Sequence, residues 1–186
     1  MTDRTLPISA ATIRPSREDD MAAIAAIYCH HVLTGTASFE TEAPDVAEMA
    51  QRRADLLGRG MPHLVLEQDG LVRGYAYAGP YRPRAAYRDT VENSVYLAPD
   101  AIGLGFGRRL LTVLIEECTA RGLRQMVAVV GDSANLPSIR LHERMGFRNV
   151  GTLAAVGYKH GRWLDTVLLQ RTLGAGDAAP PIDRAE

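Results

Sequence analysis

Apolar residues change their spacing repeatedly along this 186-residue chain, and each change marks an element. Thr12-Ile13-Arg14-Pro15 predicts a short first strand. Ile24, Ile27, Tyr28 and His31 then recur at helical spacing. Ser16 is placed to cap that helix, and Glu18, Asp19 and Asp20 fill a first turn that suits the helix dipole. Gly35 ends it, and Thr36 to Ala43 reads as a loop. Pro44 is expected to open a second helix, with Val46, Met49, Ala50, Arg53 and Leu57 on one side and a stop at Gly58-Arg59-Gly60. His63 to Glu67 and Leu71 to Ala78 read as two strands joined by an Asp69-Gly70 hairpin turn. A loop rich in Pro, Tyr and Arg follows, from Gly79 to Asp89.

Val91 to Leu97 alternates as a strand and is broken by Ala98-Pro99-Asp100. From Phe106 onward Leu110, Leu111, Leu114, Ile115 and Cys118 form the buried stripe of a third helix. Met126 to Val130 is an unbroken apolar run, as in a strand covered on both faces. A fourth helix is expected from about Leu136 to Met145, closed by Gly146-Phe147. Two strands, around Asn149 to Tyr158 and Trp163 to Gln170, flank a turn at Lys159-His160-Gly161. The order predicts one α/β domain with a mixed sheet over residues 12–173. Residues 1–11 read as a loose lead, and residues 174–186, rich in Gly, Ala, Pro and charge, as a disordered tail.

Composition excludes several function classes. A formal net charge of −1 argues against a nucleic-acid binder driven by bulk charge. No apolar run approaches the roughly 18 residues of a membrane span. The start lacks a basic-then-apolar secretion signal, so a cytoplasmic protein is expected. Cys29 and Cys118 lack paired spacing and nearby paired histidines, which favours two reduced core thiols over a disulfide or a metal site.

The stretch between the Val91–Leu97 strand and the third helix carries the chemistry. Gly103, Gly105 and Gly107 alternate there, with Leu104 and Phe106 between them. Alternating glycines let a backbone approach a ligand and aim successive amides the same way. The following helix N-terminus adds unpaired N–H groups and positive dipole. Together they suit a phosphate or pyrophosphate, with Arg108 and Arg109 adding charge; the plain alternative is a tight turn. Gly107 is followed by Arg-Arg-Leu, which excludes a P-loop, and Arg108 stands where a dinucleotide fingerprint needs glycine.

The run IGLGFGRRLL resembles motif A of the GNAT superfamily of acyl-CoA-dependent N-acyltransferases, although Ile102 stands at the motif's Gln/Arg position. The segment from Asn135 to Phe147 resembles a later motif of the same superfamily. TVENSVYL, SIRLHERMGF and GYKHGRWLD together resemble the phosphinothricin and methionine sulfoximine N-acetyltransferase subgroup, over roughly Ile13 to Leu173. The resemblance implies a GNAT fold: a mixed, mostly antiparallel central sheet, splayed between its two parallel central strands, with helices on both faces. It implies acetyl-CoA as co-substrate and no metal. Val95, Tyr96, Leu97, Gly103, Leu104, Gly105, Phe106, Gly107, Arg108, Asn135 and Ser138 would hold that co-substrate. A homodimer is implied too, with Tyr158, Lys159 and Trp163 in the segment that reaches the neighbouring site. For phosphinothricin the activity would amount to herbicide resistance.

Acetyl transfer to an amine needs a neutral amine, a positioned thioester and a way for the thiolate to leave. Glu92, at the start of the central strand, is the first candidate for the base, acting directly or through a water. Its plain alternative is a structural carboxylate paired with Arg82 or Arg84. His142 is the second candidate, as acid to the thiolate or as alternative base; otherwise it is a buried histidine bonded to a carbonyl. Neither cysteine has an evident activating partner, which favours direct transfer over an acetyl-enzyme. Arg82 and Arg84 suit a carboxylate or phosphinate bidentately, and the resemblance adds Phe39, Glu40 and Tyr87 to the same acceptor pocket. The expected reaction is acetylation of a small amino-acid-like amine. An enzyme for another amine, such as a peptide N-terminus or a drug, and a non-catalytic CoA-binding module remain the alternatives.

Overall fold

The computed structural model describes residues 10–180. Most of the expected lead, and the end of the expected tail, fall on residues 1–9 and 181–186, outside the described residues. The strands are β1 (Thr12–Pro15), β2 (His63–Gln68), β3 (Leu71–Pro80), β4 (Thr90–Leu97), β5 (Gln125–Gly131), β6 (Arg148–Lys159) and β7 (Arg162–Thr172). The helices are α1 (Met21–Thr34), α2 (Val46–Gly58), α3 (Phe106–Ala120) and α4 (Leu136–Arg144). All strands join one sheet in the order β1-β2-β3-β4-β5-β7-β6. Every neighbouring pair is antiparallel except β4–β5.

Strand alternation divides the core into two layers. Leu64 and Leu66 of β2 turn to the α3 face, where Leu110, Leu111 and Leu114 are fully buried. Val65 of β2 and Tyr75 of β3 turn to the opposite face, against Met21, Ile24 and Val32 of α1 and Met49 of α2. The helices therefore cover both faces, and β4 and β5 lie in the middle.

Two helix starts differ from expectation. Ser16 is buried and accepts from Arg53 Nε at 2.6 Å instead of capping a helix. A short 3-10 turn, Glu18–Asp20, leads into α1, and Asp20 accepts from the Arg17 backbone N–H at 2.6 Å. Pro44 stands outside α2; Asp45 is the cap, accepting from Glu48 N at 2.8 Å. In both places a side-chain acceptor outcompetes the residue that pattern alone selects.

Arg14 of β1 clamps this end of the molecule. Its guanidinium donates to both carboxylate oxygens of Asp20, at 2.7 and 2.8 Å, and to Glu67 of β2 at 2.6 and 2.9 Å. The Arg14 hydrogen bonds outweigh burial and hold the Asp20 carboxyl below its ordinary range. Asp20 is only 6% exposed, so losing Arg14 strands a charge. Arg14→Leu is expected to destabilise the fold by about 3 kcal/mol, measured by denaturant unfolding; a loss within experimental error would mean that the clamp contributes no net stability.

Candidate active site

The parallel pairing of β4 with β5 runs only from Thr90–Gln125 to Asn93–Ala128. Beyond that point β5 continues against β7 as far as Gly131, while β4 continues against β3 as far as Leu97. The two strands part, and a narrow cleft of about 50 Å³ opens between them. Ser94, Val95 and Tyr96 line one side, Val129, Val130 and Gly131 the other. Ala37 lines it too, as do Asn135, Ser138 and His142 of the α4 region.

Alternation along β4 sends its two polar neighbours to opposite faces. Glu92 shares a face with Ser94 and Tyr96, the side of α1 and α2; Asn93 shares a face with Val91 and Val95, the side of α3 and α4. Glu92 is half-buried and enters no ion pair among the described residues. Burial raises its carboxyl above the ordinary range, and the charge of Arg82 partly offsets the rise. Arg82 lies 5.1 Å over the Tyr81 ring, and Tyr81 meets Tyr87 edge-on at 5.9 Å. Arg84 is exposed before the short turn Ala85–Tyr87 and forms no ion pair with Glu92.

His142 is 5% exposed, and both of its ring nitrogens meet protein groups. Nδ1 donates to the Ser138 carbonyl at 2.8 Å, one helical turn back. Burial lowers the ring's proton affinity, and the Ser138 bond only partly offsets this. A neutral ring that donates from Nδ1 presents a lone pair at Nε2. Asn93 Oδ1 stands there at 3.3 Å, and Asn93 Nδ2 has no acceptor. Two lone pairs cannot bond each other, so the amide turned end for end, with Nδ2 donating to His142 Nε2, is the orientation that satisfies this neutral ring.

The glycine loop is built for its backbone. Gly103 and Gly105 have φ of 85° and 79°, and a Cβ on either would meet nothing within 4 Å. They are required for left-handed geometry, not for space. Gly105 caps α3 without any side-chain bond, leaving the first-turn amides of Phe106, Gly107 and Arg108 uncapped by a side chain. Leu104 and Ile102 are exposed, and Arg108 stands out to solvent, whereas Arg109 turns back to the Ala11 carbonyl. Leu97 places its carbonyl 2.8 Å from His31 Nε2. Asn135 caps α4, its Oδ1 accepting from Ser138 N at 3.4 Å.

The loop between α1 and α2 borders the cleft and is latched on several sides. Glu40 accepts from Arg52 Nη1 at 2.7 Å and from Tyr28 Oη at 2.8 Å. Burial opposes its ionisation, but these bonds prevail and hold it below the ordinary carboxylate range. Lys159 is buried and donates to the Ser38 carbonyl at 2.7 Å, within its own chain. The Phe39 ring presses on Gly157 of β6, where a Cβ would lie 2.3 Å from it. Glu40 is therefore committed to holding the loop, and Phe39 is a partly exposed wedge beside the cleft.

The cleft brings together Glu92's strand neighbours Val95 and Tyr96 with Asn135, Ser138 and His142. Phe39 and Glu40 border it through Ala37 and Ser38. Arg84 and Tyr87 are brought only as far as the Arg82 loop. Sequence reasoning missed Asn93, Ala37 and Ser94. Asn93 could have been found from alternation, since it is the residue beside Glu92 that must face the opposite layer.

Comparison with known proteins accounts for this arrangement. The profile of the family described as "Acetyltransferase (GNAT) domain" matches residues 13–168. A phosphinothricin N-acetyltransferase of Alcaligenes faecalis is 57% identical over 92% of this chain and 87% of its own length. An L-methionine sulfoximine/L-methionine sulfone acetyltransferase of Pseudomonas aeruginosa is 41% identical over 92% of this chain and 99% of its own. The crystal structure of a phosphinothricin acetyltransferase from Sinorhizobium meliloti in complex with AcCoA superposes with a TM-score of 0.91, at 46% identity, covering 93% of this chain and 94% of that one. The split strand pair, the glycine loop at the uncapped helix and the extent of these matches agree: the chain belongs to the GNAT acetyltransferase family.

Proposed function

We propose that this N-acetyltransferase moves an acetyl group from acetyl-CoA directly to the free amine of a small amino-acid-like acceptor of the phosphinothricin or methionine sulfoximine type. The observation that carries the reading is Glu92: a half-buried carboxylate, raised by burial, on the central strand beside its opening, with the charge of Arg82 near it. The names of the relatives supply the acceptor class.

The residues fit acetyl-CoA. The loop from Gly103 to Arg108 offers backbone amides and the positive end of α3 to a pyrophosphate, without relying on any one side chain. Val95, Tyr96 and Leu97 lie on the edge that β5 no longer pairs, with Asn135 and Ser138 across the cleft. When bound, acetyl-CoA supplies the activated acetyl thioester. The chain's own work is to hold the amine against it and to remove a proton. Holding two reactants in line is worth effective molarities of up to about 10⁵–10⁸ M, so a modest base suffices. Glu92 is that base, Arg82 orients the acceptor's acidic group, and Phe39, Tyr87 and Arg84 form the rim. Glu40 keeps the loop beneath them in place through Arg52. His142 acts through Asn93, whose side chain it holds at the cleft.

A homodimer belongs to the same reading. Leu153, Val156, Tyr158 and Trp163 are each at least half exposed on the β6–β7 hairpin at the sheet edge. A second copy is the fitting cover for that surface. A cytoplasmic setting suits the two free thiols, Cys29 and Cys118.

Free-thiol release with acetyl-CoA against a panel of amines tests the acceptor. Turnover is expected with phosphinothricin or methionine sulfoximine; turnover confined to a peptide N-terminus or an aminoglycoside would discard the acceptor assignment. Glu92→Gln is expected to lower kcat at least about 100-fold with acetyl-CoA affinity unchanged. The base works as carboxylate, so activity falls as pH drops through its raised pKa. Arg82→Ala removes the opposing positive charge and should move the acid limb of kcat/KM to higher pH, while Arg82→Lys should not; identical limbs in both variants would remove Glu92 from the titration. Ile102→Arg adds a charge at an exposed loop position and is expected to tighten acetyl-CoA binding about tenfold by calorimetry. Trp163→Lys should shift the mass in sedimentation from dimer to monomer; a monomeric parent protein would refute the dimer.

A further inference from the structure

A second cavity, of about 310 Å³, lies between α2 and the β2–β3 pair. It shares no lining residue with the cleft at the strand opening. Its floor is aromatic: His63 stacks on Tyr77 at 5.6 Å and on Tyr75 at 5.8 Å. Met49, Leu56 and Pro80 give it apolar walls.

Two polar groups of that floor lack partners. Tyr75 is 0% exposed and its hydroxyl meets neither donor nor acceptor; His63 is 4% exposed and its Nδ1 is likewise unpartnered. Burial, helped by the charge of Arg53, pushes the His63 imidazole down to about 4. The ring is therefore neutral, with one N–H to give and one lone pair to fill. Buried polar groups are normally satisfied within the protein. Both atoms are shielded from the open space of the cavity, so the floor it presents is the packed ring faces and not these polar groups.

The mouth is cationic. Arg52, Arg53 and Arg59 line it, with Asp55 as the single acid. Arg52 is balanced by Glu40 and Glu48. Arg53 instead rests on the neutral hydroxyl and carbonyl oxygens of Ser16, and Arg59 enters no ion pair among the described residues. An apolar, ring-stacked floor beneath uncompensated guanidinium groups matches a flat apolar body that ends in an anion.

We propose that this cavity is a second ligand site, distinct from the acetyl-transfer cleft, and that it takes a small aromatic carboxylate with its ring on the His63–Tyr77 floor and its carboxylate toward Arg53 and Arg59. Tyr77 links the two sites. It walls the cavity, stands opposite Ser94 of the cleft in the β3–β4 register and lies in the field of Glu92. An occupant that presses on Tyr77 bears on the neighbouring catalytic strand, so it alters kcat.

Phenylacetate is the probe, titrated by NMR and calorimetry into the protein saturated with acetyl-CoA. One saturable site is expected, with a dissociation constant of about 1 mM or tighter. Leu56→Trp, which fills the cavity, should abolish binding. Arg59→Glu, at an exposed position, should weaken phenylacetate at least about tenfold and leave the uncharged phenylacetamide unaffected. Melting curves establish that each variant is folded, and Arg59→Glu keeps the test decisive if Leu56→Trp is not. Kinetically, phenylacetate should change kcat in the parent protein and not in Leu56→Trp. Absence of saturation up to about 10 mM, displacement by acetyl-CoA or by the acceptor, or equal affinity of parent and Leu56→Trp would each overturn the proposal.

Discussion

The separation of β4 from β5 after Asn93 is the constraint on which the rest of the molecule depends. A paired strand has no room for a ligand between its backbone and its neighbour's. Once the pairing stops, the free edge of β4 from Ser94 to Leu97 becomes available, and β5 remains rigid because β7 still holds it through Gly131. One strand edge is given up while both strands stay anchored on their outer sides. The same geometry brings α4 over the gap, so Asn135, Ser138 and His142 face it from the second layer.

Because β4 is a strand, it also divides the chemistry between two environments. Glu92 looks toward α1 and α2, and its neighbour Asn93 toward α4. The carboxylate lies on a face crowded with phenols: Tyr77 and Tyr96 are both pushed up by burial, as is Tyr75. These rings give a low-polarity wall without supplying a positive charge that would pull Glu92 back to ordinary acidity. Arg82 alone offsets its rise. On the other face, His142 is spent on holding Asn93, which makes a positioning role more natural for it than a proton-transfer role.

Much of this could be read from the chain. The element order, the two-sided helices, the Asp69-Gly70 hairpin and the amphipathic stripe of α3 follow from periodicities that long-range packing does not disturb. The glycine loop was legible because left-handed backbone leaves a mark in residue type. What sequence could not show was commitment. Glu40 and Arg84 look equally free on paper, yet one carboxylate is bound by Arg52 and Tyr28 while the guanidinium stands in solvent. Lys159 carries the charge of a surface residue and is buried against Ser38. Ser16 and Pro44 are good local helix-start signals overruled by partners far along the chain or one residue away. Each of these outcomes depends on which group arrives from another element, and spacing holds no record of that.

The character of the reaction follows from what the site lacks as much as from what it holds. A covalent acetyl-enzyme would need an activated nucleophile at the cleft. Cys118 is fully buried under α3, with its thiol pushed up to about 12 by burial, and Cys29 lies on α1 outside the residues that line the cleft. Neither can take the acetyl group. In the proposed reaction the groups do something simpler: a backbone edge and a helix end hold one reactant, Arg82 orients the other, and Glu92, with its raised proton affinity, takes the proton. With geometry contributing most of the acceleration, a stronger base would bring little further rate. It would also be protonated over more of the pH range, which is a physical reason for Arg82 to hold Glu92 from rising further.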